Sequence, residues 1–253
     1  MKQLNQYIIE KLKINKSTNL YHYHPKDKDE LRSLIQELLK ERGNDADLND
    51  IDVSDITDMH ESFRYLDPHN IDISKWDVSN VKDMKGMFYT CKNFNSDISK
   101  WNVSKVKDMQ IMFAGCENFN SDLSNWNVSN VESMWSMFWA CENFNSDLSK
   151  WDVSNVKNME GMFAGCNKFN SDLSKWSVSK VETMESMFDN CKTFISDLSK
   201  WNVSNVKNTN GMFMGCKKFN SDLSKWDVSG VEDMEDMFND CKSLKQIPSW
   251  YKN

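Results

Sequence analysis

The stretch WNVSKVKDMQIMFAGCENFNSDLSN, residues 101–125, is one copy of a 25-residue unit that recurs without insertion or deletion through most of the chain. One tryptophan and one cysteine return at fixed positions of the unit. They are Trp76, Trp101, Trp126, Trp151, Trp176, Trp201 and Trp226, and Cys91, Cys116, Cys141, Cys166, Cys191, Cys216 and Cys241. A fixed period of this length is typical of a stacked repeat array. We therefore expect like residues to form continuous columns.

A degenerate copy precedes these seven, with Ile51 at the tryptophan position and Leu66 at the cysteine position. We divide the chain into an N-terminal helical cap, residues 1–50, and a repeat solenoid, residues 51–253. Leu4, Ile8 and Leu12 have helical spacing, residues 20–24 alternate like a short strand, and a second helical stripe follows Asp27 and ends near Gly43. The cap is expected to cover the first rung, since the end of a stack exposes core and unpaired backbone.

Two halves are apparent within one unit. Val106, Met109, Met112, Phe113 and Cys116 have the spacing of one helical face, and Ser-x-x-Glu capping boxes precede the same face in three units. The boxes are Ser129 with Glu132, Ser179 with Glu182, and Ser229 with Glu232. The other half reads as a turn and a short strand, and such strands would stack in parallel about 4.8 Å apart.

The predicted fold is therefore an α/β solenoid with a small α-rich N-terminal cap. It is a leucine-rich-repeat-like, right-handed coil of about eight 25-residue rungs, and each rung combines a short parallel strand with a helical turn.

Stacking also predicts polar ladders. An asparagine column that starts at Asn70 and is broken by Ile195 should bond backbone groups of neighbouring rungs. An aspartate column from Asp72 to Asp222 would place like charges one rung apart. Each carboxylate must then accept local N–H or serine hydroxyl bonds, or lie near the lysine column that contains Lys75. Calcium along this aspartate column is the alternative.

Composition excludes several kinds of function. The net charge is −7 and lysines alternate with acidic residues, which disfavours nucleic acid as a partner. Seven cysteines in one column favour buried, reduced thiols over disulfides. Neither an apolar run that could span a membrane nor a signal peptide or lipobox is apparent, so a cytoplasmic location is expected, with the cell surface as the alternative.

The sequence shows no catalytic constellation and no phosphate-binding glycine loop, so we expect no enzyme activity and no cofactor. His22 and His24 would share a strand face but lack further metal ligands nearby. The segment that begins at Asp45 fails as a calcium loop, because Asp50 and Ile56 stand where glycine and glutamate are needed.

The phrase M-F-x-x-C-x-x-F-N-S-D-L-S-x-W resembles the repeat of mycoplasma-type bacterial surface proteins, which is similar to the BspA-like leucine-rich repeats. The shared mark is Phe-x-x-Cys-x-x-apolar, here Phe113, Cys116 and Phe119. The resemblance covers residues 51 to about 250. It implies a leucine-rich-repeat-like solenoid used for adhesion or for other protein contacts.

Function in an array is best sought where the repeats differ. The columns of Lys85 and Tyr89 vary most, and we expect them on a helix flank away from the core. The candidate protein-binding residues are Trp135, Trp139, Tyr89, Ile111 and Met214. The alternative is that this flank packs against an adjacent helix or against the N-terminal cap. The hypothesis is a non-enzymatic scaffold that binds an unidentified protein; the alternative is a surface adhesin or structural coat component. End-to-end self-association near Trp250 is a further alternative.

Overall fold

The computed structural model describes residues 21–252 of the chain. Helix α1 spans Lys28–Arg42; the Asp27 side chain accepts hydrogen bonds from the amides of Asp29 and Glu30, and the helix ends at Gly43. This confirms the helix predicted after Asp27. The predicted strand near residue 23 is reduced to one parallel bridge between Tyr23 and Ile51. The helix predicted over residues 4–12 lies outside the described residues.

The rungs are stacked coils without regular secondary structure, so the predicted α/β solenoid with strand-plus-helix rungs is wrong. Within residues 21–252, α1 is the only helix. β-type pairing in the same residues is confined to isolated parallel bridges. One of them joins Asp47 to Asp72. The others join Asp58 to Asp83, Asp83 to Asp108, Asp108 to Ser133, Ser133 to Asn158, Asn158 to Thr183, Thr183 to Asn208, and Asn208 to Asp233.

The predicted helical turn fails because its amides alternate between two kinds of partner. The Phe88 amide donates to the Met112 carbonyl of the next rung at 2.9 Å, whereas the Met87 amide donates to the Met84 carbonyl of its own rung at 3.1 Å. Positive φ angles of 57° at Gly86 and 59° at Thr90 allow this alternation. An α-helix would instead require each amide to bond four residues back.

The capping boxes fail for the same reason, since no helix begins at Ser129, Ser179 or Ser229. The amide of Glu132, which a capping box would place in the first turn of a helix, donates to the Lys107 carbonyl of the previous rung at 2.9 Å. In the other half of the unit, tight turns replace the predicted strand. The Trp76 amide, for example, bonds to the Ile73 carbonyl at 3.2 Å.

Aromatic columns form the core of the stack. Equivalent phenylalanines from Phe63 to Phe238 stack with ring centroids 5.0–5.9 Å apart. The buried Trp101 indole N–H donates to the Ile73 carbonyl at 3.1 Å, and the Cys116 thiol to the Phe88 carbonyl at 3.1 Å. Both bonds recur along the stack. The invariant tryptophan and cysteine thus satisfy backbone carbonyls while filling the core.

The polar ladders form as the sequence predicts, except that the asparagine ladder starts at Asn95 and not at Asn70, because the Asn95 amide donates to the His69 carbonyl at 3.2 Å. The Asn95 side chain accepts the Asn120 amide of the next rung at 2.8 Å, and the same bond recurs along the column. Asp122 accepts the Ser124 amide at 2.9 Å. The Ser124 amide, and then its hydroxyl, hold the pKa of Asp122 below its ordinary value. The aspartates therefore tolerate their like-charged neighbours through local donors.

Candidate functional site

In each rung, the segment equivalent to residues 84–91 turns one side outward. These outward sides form a continuous strip along the stack. We number the rungs one to eight, beginning at residues 51, 76, 101, 126, 151, 176, 201 and 226. In rung two, Met84, Met87, Phe88 and Cys91 are fully buried. We define the variable face as the outward positions in all eight rungs that are equivalent to residues 85, 86, 89 and 90. Its residue types differ from rung to rung, whereas those of the core hardly change.

The structure places all five sequence-predicted candidates on the variable face. Trp139 is 48% exposed, whereas Trp135, Tyr89, Ile111 and Met214 are half-buried. They do not lie on a helix flank as predicted. They still point outward, because side chains of each rung are buried with a period of four residues. This period is close to the 3.6 residues per turn of a helix.

Trp135 is tied into the stack more firmly than Trp139. Its indole N–H donates to the Glu160 carboxylate of rung five at 3.2 Å. Trp139, on the same rung, has in its column Ala114 on one side and Ala164 on the other, and both alanines are buried. Trp139 is therefore the more accessible apolar side chain at the middle of the face.

An aromatic cluster at the N-terminal end of the face includes one residue that sequence reasoning missed. Tyr65 is 60% exposed, and its ring centroid lies 5.6 Å from that of Tyr89. The Arg64 guanidinium lies 4.7 Å from the Tyr65 centroid and 5.3 Å from the Tyr89 centroid, within range of a cation–π interaction. The sequence did contain a signal for Tyr65, because this tyrosine stands in a column where three other rungs carry glycine. These glycines are Gly115, Gly165 and Gly215.

Helix α1 holds this cluster in place. The Arg32 guanidinium donates to the Arg64 carbonyl at 2.9 Å and also to the Glu61 carbonyl. The Arg64 side chain in turn bonds to the Glu61 carboxylate. This bond is the main cause that lowers the pKa of Glu61 and raises the pKa of Arg64. Arg32 of α1 thus covers two carbonyls of the first rung, and the charges of Glu61 and Arg64 neutralise each other.

The charge of the variable face changes sign along the stack. Its basic side chains lie in rungs one and two, at Arg64 and Lys85. Its acidic side chains, apart from the paired Glu61, lie in rungs five to eight. They are Glu160, Glu185, Asp189, Glu235, Asp236 and Asp240. A partner for this face would therefore meet an aromatic and basic half followed by an acidic half.

The cysteine column has the properties of packing and not of chemistry. All seven thiols are free and all but Cys241 are buried. Burial raises the pKa of every one of them, that of Cys91 to about 12. A reactive cysteine needs a lowered pKa and access to solvent. These thiols therefore do not form a nucleophilic site.

Metal ligands are equally scattered in the part of the chain that the structure describes, where no group of three or more His, Cys, Asp or Glu side chains could hold an ion. His22 lies 3.6 Å from Asp50, and His24 lies 3.1 Å from Asp52, so each imidazole pairs with its own carboxylate. Over the same residues, no helix is both long enough and apolar enough to cross a membrane.

Comparison with protein families gives a match over most of the chain. A family model described as "Mycoplasma protein of unknown function, DUF285" matches residues 31–151 and 132–251. No curated protein and no solved structure matches the chain. Because the two matched segments together span most of the sequence, the chain belongs to this mycoplasma repeat family, DUF285.

Proposed function

We propose that this protein is a non-enzymatic repeat scaffold whose variable face binds another protein. The observation that carries the proposal is the contrast within each rung. The buried columns repeat almost unchanged, whereas the outward positions vary and place Trp139, 48% exposed, at the middle of the face. Exposed aromatic residues that the core does not require are typical of protein contact sites.

Backbone strain at Ile111 supports this assignment. Ile111 has a φ of 47°, in the left-handed region that disfavours β-branched residues. Three other rungs place Gly86, Gly161 and Gly211 in this column. Strain of this kind costs about 1–3 kcal/mol and tends to cluster at functional sites. An apolar side chain kept at such a position is better explained by binding than by folding.

The N-terminal cluster supplies residue types that dominate protein interfaces. Tyrosine, tryptophan and arginine are enriched among the residues that contribute most binding energy. Tyr65, Tyr89 and Arg64 lie together there, and the contacts of Arg64 with Glu61 restrict its motion. A side chain that is already ordered loses less entropy when a partner binds.

The proposal can be tested by comparing Trp139 with Ile195, an apolar side chain that is 57% exposed away from the variable face. A photo-cross-linker at position 110, which also lies on the variable face, identifies the partner in source cells. We expect Trp139→Ala to weaken binding of that partner at least tenfold while leaving the melting temperature nearly unchanged. Ile195→Ala should change neither. Equal effects of the two substitutions on affinity would exclude the variable face.

A surface adhesin is the second candidate function. The Phe113-x-x-Cys116-x-x-Phe119 mark resembles the repeats of BspA-like surface proteins, and that resemblance favours it. A cytoplasmic location fits the scaffold proposal better, because the buried thiols need no oxidising compartment. Treating intact source cells with a protease separates the two. Loss of the protein from intact cells supports the adhesin, and survival until lysis supports the scaffold.

A further inference from the structure

We propose that the variable face binds a second copy of this chain in an antiparallel arrangement, with rung one of each copy over rung eight of the other. This inference rests on the proposed function and names the partner of the same face. It follows from the change of charge along the face together with the positions of its large and small side chains.

Two-fold symmetry fixes which residues meet. When two identical faces pack with the two-fold axis parallel to the rungs, rung n of one copy lies over rung 9 − n of the other. Each outward position then meets the equivalent position of that rung, and every contact occurs twice. Eight rungs about 4.8 Å apart give a face roughly 40 Å long. The arrangement is thus closed and needs no third copy.

Charge complementarity supports this register. Lys85 of rung two lies over Asn210 of the second copy. In the same column, Glu185 and Glu235 lie one rung to either side of Asn210, so the lysine can reach both carboxylates. The basic end of each copy thus meets the acidic end of the other, which favours association and fixes its direction.

Side-chain size supports the same register. Trp139 of rung four lies over Ala164 of rung five, where the neighbouring outward residues are Gly161 and Gly165. The side chains at these three positions are small, so this part of the face projects little and can accept an indole. Tyr89 of rung two lies over Met214 of rung seven, and a thioether packs favourably against an aromatic ring.

One opposed pair carries like charges, but its repulsion is reduced. Glu61 lies over Asp236, and the Glu61 carboxylate is already paired with Arg64 within its own chain.

The face is also narrow. It would bury roughly 500 Å² on each copy, at the low end for specific complexes, so we expect a weak dimer with a Kd in the micromolar range.

Face-to-face pairing is favoured over stacking on the N-terminal end by the position of α1. The carbonyls at the free edge of rung one are the groups that a further rung would contact. Arg32 already donates to the Arg64 carbonyl there, and buried leucines of α1, such as Leu31 and Leu34, cover the core. A second copy could stack on this end only by displacing the helix. The variable face needs no such rearrangement.

Sedimentation equilibrium of the full chain from about 1 to 500 μM, at low and high salt, tests the proposal. We expect a monomer–dimer equilibrium that weakens at high salt, because charges contribute to it. Trp139→Ala should weaken the dimer at least tenfold, and Ile195→Ala should leave it unchanged. A chain that stays monomeric throughout at low salt would overturn the proposal.

Charge reversal tests the register itself. Lys85→Glu alone should weaken self-association at least tenfold, as should Glu185→Lys combined with Glu235→Lys, because each variant places like charges opposite one another. In an equimolar mixture both symmetric sites regain opposite charges, so a heterodimer of about wild-type affinity should form. Failure of the mixture to associate would overturn the antiparallel register.

The outcomes separate this inference from the proposed function. A monomeric chain whose cross-linked partner is still lost with Trp139→Ala overturns the dimer and leaves the scaffold proposal standing. A dimer that is insensitive to Trp139→Ala overturns the assigned surface. A cross-link from position 110 to a second copy of the chain supports both.

Discussion

Glycine marks the positions where the rung backbone adopts positive φ. Six of the eight glycines in the chain lie in the two columns that contain Gly86 and Gly165, and every rung has positive φ at both columns. At such positions any other residue meets a steric penalty of about 1–2 kcal/mol. Glycines at these two columns are unfavourable for the helix that the apolar spacing predicted.

Two glycine substitutions should separate backbone conformation from close packing. A Cβ at Gly165 would lie 3.2 Å from the Cα of Ala140, a backbone atom that cannot move aside; at Gly86 it would lie 3.4 Å from the flexible Glu61 side chain. Both positions have positive φ. We expect Gly86→Ala to lower the free energy of unfolding by about 1 kcal/mol and Gly165→Ala by about 2–3 kcal/mol.

Urea denaturation followed by tryptophan fluorescence measures both values. Equal losses for the two variants would show that the approach of neighbouring rungs at Ala140 adds no cost.

At the scale of the rung, neighbours are joined by side-chain ladders as well as by backbone bonds. The Asn170 side chain accepts the Ile195 amide at 2.9 Å, but Ile195 has no amide oxygen to continue the ladder. Within residues 21–252, the Asn220 amide finds no acceptor of the kind that serves the other rungs. The asparagine ladder is therefore interrupted between rungs six and seven.

Repairing this interruption should stabilise the protein. We expect Ile195→Asn to raise the free energy of unfolding by about 0.5–1.5 kcal/mol, because the new side chain can accept the Asn220 amide. Thermal unfolding by circular dichroism measures the effect. Ile195→Ala is the matched control, since it removes the exposed isoleucine without supplying an acceptor. An equal gain from alanine would show that the ladder bond contributes nothing.

At the scale of the whole molecule, the aspartate column links stability to pH. Hydrogen bonds from the serine two residues on lower the pKa of all seven carboxylates. The unfolded chain, with ordinary values near 3.9, therefore binds protons at a higher pH than the folded chain does. The contribution is fully present above about pH 4 and is lost as the pH falls through the lower, folded values.

We therefore expect the melting temperature to be steady from about pH 7 to pH 5 and to fall steeply below about pH 4. Asp122→Asn combined with Asp147→Asn should make this fall shallower, because an amide can still accept the serine N–H but does not titrate. Thermal melts from pH 7 to pH 2 measure both profiles. Identical acid slopes for the variant and the parent protein would exclude these two carboxylates as a source of the linkage.

The amino-acid pattern alone predicts the 25-residue period, the core columns of tryptophan, phenylalanine and cysteine, the asparagine and aspartate ladders, and helix α1. These features follow from identical residues one period apart and from local capping at Asp27. The sequence did not determine the path of the backbone within a rung, because burial at Met109, Met112, Phe113 and Cys116 suits a helix and a period-four coil equally well.

Contacts between stacked rungs select one of those two paths. Whether an amide such as that of Phe88 bonds within its rung or to the next one depends on a neighbour 24 residues away, which local propensity does not register. The same stacking brought Tyr65, Arg64 and Tyr89 together at the N-terminal end of the variable face. It also aligned the basic and acidic ends of the variable face, since residues far apart in the chain become neighbours only when the rungs stack.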